Sequence, residues 1–188
     1  QRYDEAIEYF DRTISLRPDY AIAYYNKAIS LKRLGKYNEA IQSYDKAISL
    51  KPDYADAYYN KGICLDQIQK YDEAVESYEK AISLNPDDIN AYYNKGISLH
   101  DLQRFREAIK SFYQGLKFNS KDDGFCSALA KIFKSLEMQK EAIHDWNLAR
   151  VLIRDSLKLN SQSDCRNLGK ISQKILEVET IIAKTLNN

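Results

Sequence analysis

Asn26, Asn60 and Asn94 stand 34 residues apart, each behind a pair of tyrosines. An amide side chain donates and accepts at once, which suits it to the N–H and C=O groups of an extended polypeptide. Asparagine is a mediocre helix former, so propensity alone gives no reason for it to recur on a solvated helical face. Residues that do covalent chemistry are scattered by comparison. His100 and His144 are the two histidines, and neither has a Ser or Cys companion in a catalytic arrangement. Paired acids such as Asp4-Glu5 and Asp72-Glu73 recur at one point of the repeat, the first turn of a helix, where carboxylates suit the helix dipole and orphan N–H groups. Cys64, Cys126 and Cys165 have no metal-ligand spacing, and such an odd, scattered set reads as reduced thiols of a cytosol-like compartment. Cys64 and Cys126 fall where small apolar side chains would fill a helix interface. The glycines form no phosphate loop. The expectation is no catalytic residue, no cofactor and no metal site.

The elements that must position the asparagines follow from the same spacing. Tyr24-Tyr25-Asn26-Lys27-Ala28 returns as Tyr58-Tyr59-Asn60-Lys61-Gly62 and as Tyr92-Tyr93-Asn94-Lys95-Gly96, a constant period of 34. A fixed period of this size marks one supersecondary unit stacked on copies of itself. Within 55–88 the apolar residues recur every three or four positions, pause at Gln69-Lys70, resume from Tyr71, and stop at Asn85-Pro86-Asp87. Each unit is therefore a first helix, a short turn and a second helix. The predicted helices span about 2–16, 21–34, 37–50, 55–68, 71–84, 89–102, 105–118, 123–136, 139–159 and 164–186. No segment alternates with period two, so no strand is expected.

The columns of the repeat have packing roles. Ala6, Ala40, Ala74, Ala108 and Ala142 are one small column, and Ala28, Gly62, Gly96 and Ala130 are another. Closely approaching helices need small residues where they cross. Phe10, Tyr44, Tyr78, Phe112 and Trp146 supply a ring in each copy, and Pro18, Pro52 and Pro86 close three second helices. On these residues the chain resembles the tetratricopeptide repeat family, whose pattern maps onto Tyr58, Lys61-Gly62, Leu65, Ala74, Tyr78 and Pro86 over roughly residues 1–152. Lys27, Lys61 and Lys95 depart from it by standing where the family has Leu, so each stem is expected on the core edge with its ammonium in water.

The resemblance implies an all-α, right-handed superhelical solenoid of stacked antiparallel helix pairs. The array is expected over 1–160, as a partial first unit 1–20, units 21–54, 55–88 and 89–122, and a degenerate unit 123–159. A helix within 161–188 is expected to cap the stack or to pair with a partner. Gln1 aligns with Gly35 and Gln69 in mid-unit, so the chain reads as a piece of something longer, with residues 1–16 short of their covering helix.

Opposite the packing side of each first helix, in the groove of such a solenoid, lie Tyr25, Asn26, Ile29, Lys32 and Arg33, then Tyr59, Asn60, Ile63, Asp66 and Gln67, then Tyr93, Asn94, Ile97, His100 and Asp101. By resemblance, Asn26, Asn60 and Asn94 would grip the backbone of an extended peptide, beside Tyr25, Ile29, Arg33, Tyr59, Ile63, Tyr93 and Ile97. The family's clamp for chaperone carboxylate tails is not matched, because its positions hold Tyr25, Ile29, Asp56, Asn90 or similar. The expected function is a protein-interaction scaffold of the cytoplasm. The alternatives are a homo-oligomeric assembly module and a regulatory arm of an enzyme. The formal charge is +1, and the three central units carry about +3, −5 and +3. Alternation of this kind is not the basic stripe that nucleic acid requires, and no apolar run approaches the ~20 residues of a membrane span.

Overall fold

The computed structural model describes residues 2–116, with Phe118, Gly124, Ala128 and Ile132. Seven helices are described: α1 (Arg2–Leu16), α2 (Ala21–Arg33), α3 (Tyr37–Leu50), α4 (Ala55–Gln67), α5 (Tyr71–Leu84), α6 (Ile89–Asp101) and α7 (Phe105–Leu116). No strand occurs among the described residues. The sequence-based helices agree with these to within one or two residues. Those expected over 123–136, 139–159 and 164–186 lie outside the described residues, except that Gly124, Ala128 and Ile132 are helical and the last two are buried. The chain divides into two compact units, Gln1–Arg104 and Phe105–Asn188. The first holds α1 to α6, and each of these helices packs on the next. First helices also touch one another, α2 on α4 and α4 on α6. This is an all-α repeat solenoid. In the second unit α7 buries Ala108, Ile109, Ser111 and Phe112.

Two turns alternate along the chain. First helices end one residue early because the chain turns left-handed at Gly35 (φ 74°), Gln69 (φ 62°) and Gln103 (φ 60°). The next amide then reaches back to close the helix, from Lys36 N to Leu31 O (3.0 Å), Lys70 N to Leu65 O (2.9 Å) and Arg104 N to Leu99 O (2.8 Å). This is the closure that a glycine allows at no steric cost, and the two glutamines adopt it against their intrinsic preference. Second helices end at the prolines, with Lys51 N on Ala47 O (2.9 Å) and Asn85 N on Ala81 O (2.8 Å). Asp88 then caps α6, accepting from the amides of Asn90 (3.0 Å) and Ala91 (3.1 Å).

The core alternates small and large side chains. Ala28, Leu31, Ala40, Tyr44, Ala57 and Cys64 form one cluster, and Leu65, Ala74 and Tyr78 form the next. Ala40, Tyr44, Ala74 and Tyr78 are 0% exposed. Cys64 is buried and its thiol is pushed up to about 11 by that burial, partly opposed by Lys32, so it packs as a small neutral group. The column of lysines corrects one expectation. Their ammoniums are not simply in water: Lys27 pairs with Asp11 (2.6 Å), Lys61 with Asp45 (2.6 Å) and Lys95 with Glu79 (2.7 Å). Each stem lies over the core edge, and its head reaches an acid on the preceding second helix. Such partly exposed pairs contribute about 0–1 kcal/mol each, so they fix register more than they stabilise.

Candidate functional site

All ten residues expected in the groove lie on α2, α4 and α6, the first helices of the first unit. Arg33 is exposed, and the other nine are half-buried. The tyrosines are less free than the sequence suggests. The ring of Tyr25 packs 5.9 Å from that of Tyr44 and 4.7 Å from that of Tyr54, and Tyr59 lies 6.0 Å from Tyr78. Tyr25, Ile29, Tyr59 and Ile63 all rest against the core clusters. A first helix is thin enough that residues one position off its buried stripe still touch the ring of the second helix. These side chains serve the core with one edge and present the other.

The asparagines also make bonds that periodicity does not reveal. Asn60 Nδ2 donates to Tyr25 Oη (3.3 Å) and to Asp56 O (2.9 Å), while Asn60 Oδ1 accepts from Lys32 Nζ (2.5 Å). One unit on, Asn94 Nδ2 donates to Tyr59 Oη (3.1 Å). Each asparagine thus holds the tyrosine of the preceding first helix. Asn60 has both N–H groups and one lone pair committed. Asn94 keeps its carbonyl and one N–H, and the amide of Asn26 makes no hydrogen bond among the described residues. Burial, with Asp56 and Tyr54 nearby, pushes the Tyr25 phenol up to about 12. Burial also raises Tyr59, which Asp88 reinforces and the Asn94 bond opposes. Both phenols therefore stay neutral at physiological pH, and the ladder does not titrate.

A second polar row runs beside the first. Asp66 accepts from Tyr78 Oη (2.6 Å) and from Ser98 Oγ on α6 (2.7 Å). Lys32 occupies the same position one unit earlier and turns to Asn60 instead. The hydroxyl of Tyr44, which has no acid opposite it, is buried without a partner. Burial lowers the pKa of Lys32, Cys64 opposes this and Arg33 adds to it. The charges of Lys32 and Asp66 are thus largely spent inside the protein, which leaves Arg33 as the exposed cation of the face. Sequence reasoning placed Lys32 and Asp66 on this face but missed Ser98 and the Tyr78 hydroxyl. No sequence signal ties a first-helix acid to a ring 12 residues later.

Asp66 carries a pH dependence. Burial raises its pKa above the ordinary 3.8, opposed by the Tyr78 and Ser98 hydrogen bonds and reinforced by Asp101. The fold then holds a proton that the unfolded chain has released. The contribution of Asp66 is complete below the unfolded pKa and is lost as pH rises through the folded one. Relative to wild type, the Asp66→Asn variant is expected to gain less stability between neutral pH and about pH 4. Urea midpoints measured across that range check this, and parallel curves for the two proteins would refute it.

Among the described residues no group of three or more His, Cys, Asp or Glu side chains could hold a metal ion. None of the described helices is long and apolar enough to cross a membrane. Family models of the tetratricopeptide repeat match residues 55–88 and also 9–42 and 77–110, and a TPR repeat model matches 30–65. Together these span more than half of the chain. No curated protein matches. Among solved structures the chain is similar to the crystal structure of MamA, at 20% identity and TM-score 0.69 over 97% of this chain and 91% of that one. It is similar also to residues 41 to the end of MamA from Desulfovibrio magneticus RS-1, at 22% identity and TM-score 0.70 over 86% and 88%. A third is the first TPR of Spaghetti (RPAP3) bound to the HSP90 peptide SRMEEVD, at 26% identity and TM-score 0.59 over 62% and 92%.

Proposed function

The chain belongs to the tetratricopeptide repeat family, and from that premise we propose that it is an interaction scaffold that binds an extended segment of a partner protein along the shared face of α2, α4 and α6. The observation that carries this reading is the register of half-exposed Ile29, Ile63 and Ile97 beside amides with unspent capacity at Asn26 and Asn94. A segment advancing ~3.3 Å per residue would meet helices packed 8–10 Å apart at about every third residue. Apolar side chains at that spacing would lie on the isoleucines, and the backbone between them would bond to the amides. The RPAP3 domain, bound to a peptide, supports this mode. Its acidic ligand does not transfer, because Lys32 is bonded to Asn60 and Arg33 alone remains as an exposed cation of the face.

The hydrogen-bond ladder makes the three asparagines unequal. Peptides selected from an array on the full chain should lose affinity by about 5–100-fold in the Asn26→Ala, Asn94→Ala double variant, from two bonds of ~0.5–1.5 kcal/mol each. Asn60→Ala should instead act mainly on stability, since its amide is spent on Tyr25, Asp56 and Lys32. Calorimetric titration checks the first statement. Unchanged affinity in the double variant would move the binding site off this face.

A further inference from the structure

The two covered second helices of the first unit show what a first helix must offer. Against Ala40 and Tyr44 lies the series Tyr25-x-x-Ala28-x-x-Leu31, and against Ala74 and Tyr78 lies Tyr59-x-x-Gly62-x-x-Leu65. In each case the tyrosine ring meets the second-helix ring at about 6 Å, and the small residue passes beneath it. The outcome is complete burial of Ala40, Tyr44, Ala74 and Tyr78.

The same side chains recur on α1 without a cover. Ala6 and Phe10 are only half-buried, and Tyr3 is 45% exposed. With Asn26, Ile29 and Ser30 of α2 they line an open groove of about 470 Å³. A second, independent feature points into this groove. Asn60 and Asn94 each donate to the tyrosine of the preceding first helix, whereas the Asn26 amide, in the equivalent position, has no such acceptor. Ser30 occupies the place of Ser98, which donates to Asp66, the residue directly after Leu65. Shape, ring contact and two polar groups all describe one missing neighbour.

We propose that this end face, formed by α1 with Asn26 and Ser30, docks an amphipathic helix of a partner chain with the pattern Tyr-x-x-Gly/Ala-x-x-Leu. The tyrosine ring of that helix lies on Phe10 and its hydroxyl accepts from Asn26. The small residue lets the helix close onto Ala6 and Phe10, and Leu fills the groove beside Ile29. An acid after the Leu would accept from Ser30. Phe10 lacks the hydroxyl that Tyr78 gives to Asp66, so that acid is an addition and not a requirement.

The sequence of α4 meets every term of the pattern, so a labelled peptide with the sequence of residues 55–67 is the probe. It is stapled on the side away from Tyr59, Gly62 and Leu65, since a free helix this short is marginal in water. Fluorescence anisotropy with the full chain should show saturable binding. A peptide with Gly62→Phe should bind at least about 10-fold more weakly, because no bulky side chain passes beneath the ring. Phe10→Ala in the protein should weaken the parent peptide similarly, while Ile97→Ser on the α2–α4–α6 face should not. If Phe10→Ala unravels α1, the Gly62→Phe peptide still decides the matter on unaltered protein. The amide resonances of Asn26 should shift on binding. Absence of saturation, equal binding of the two peptides, or shifts confined to α4 and α6 would each overturn the proposal. So would self-association of the chain that excludes the peptide, which would make the occupant a second copy.

Discussion

Tyr78→Ala is expected to lower the stability of the repeat array by about 3–5 kcal/mol, the range for removing a fully buried ring. Four separate contacts converge on this side chain. The ring is 0% exposed within the cluster of Leu65 and Ala74. Tyr59 stacks on it at 6.0 Å, and the backbone of Gly62 runs beneath it. Its hydroxyl donates to Asp66 at 2.6 Å. Truncation leaves a void that two helices cannot close without parting, and it strips a half-buried carboxylate of one of its two donors. The position also matters. In a solenoid each unit is stabilised by its neighbours, so a lesion between α4 and α5 weakens the coupling on both sides. Urea unfolding followed by circular dichroism should show a lower midpoint and a shallower transition. Tyr78→Phe, which keeps the ring, should lose only the charged hydrogen bond, about 1.5–3 kcal/mol. A loss below about 1 kcal/mol for Tyr78→Ala would show that the ring is not the keystone this packing implies.

The contrast between Tyr78 and Tyr44 shows what the sequence carries and what it does not. Both rings belong to one column, and the column was legible because a fixed period repeats the same packing problem. The small residues opposite, Ala28 and Gly62, were legible for the same reason. The hydrogen bonds of the two rings were not. Tyr78 finds Asp66, while Tyr44 finds Lys32 at that position and stays unpaired. Like columns hold unlike neighbours, and only coordinates say which atoms meet. The Tyr25–Asn60 and Tyr59–Asn94 bonds lie 35 residues apart, one more than the period, so alignment of the copies hides them. The lysine pairs could have been found: an acid stands 16 residues before Lys27, Lys61 and Lys95 in every case. Gly35 advertises its turn, whereas Gln69 and Gln103 adopt the same left-handed backbone with no glycine to announce it.

Gly62→Leu is expected to cost about 3 kcal/mol, near the upper end for overpacking, although leucine is the better helix former by nearly 1 kcal/mol. A Cβ on Gly62 would stand 2.6, 2.8 and 2.9 Å from three atoms of the Tyr78 ring, closer than real contacts allow. The ring has little room to retreat. It is fully buried, and its hydroxyl is tied to Asp66. Ala28 makes the equivalent approach to Tyr44, whose hydroxyl has no partner and does not pin its ring. Gly62→Ala should therefore cost less than Gly62→Leu, since a smaller clash is offset by the gain in helix propensity. The cause can be isolated with a double-mutant cycle. In a Tyr78→Ala background the leucine enters the void left by the ring, so Gly62→Leu should cost little there, and the double variant should be more stable than the two separate losses would give. If the losses simply add, the close passage of α4 beneath the Tyr78 ring is not what makes glycine necessary at this position.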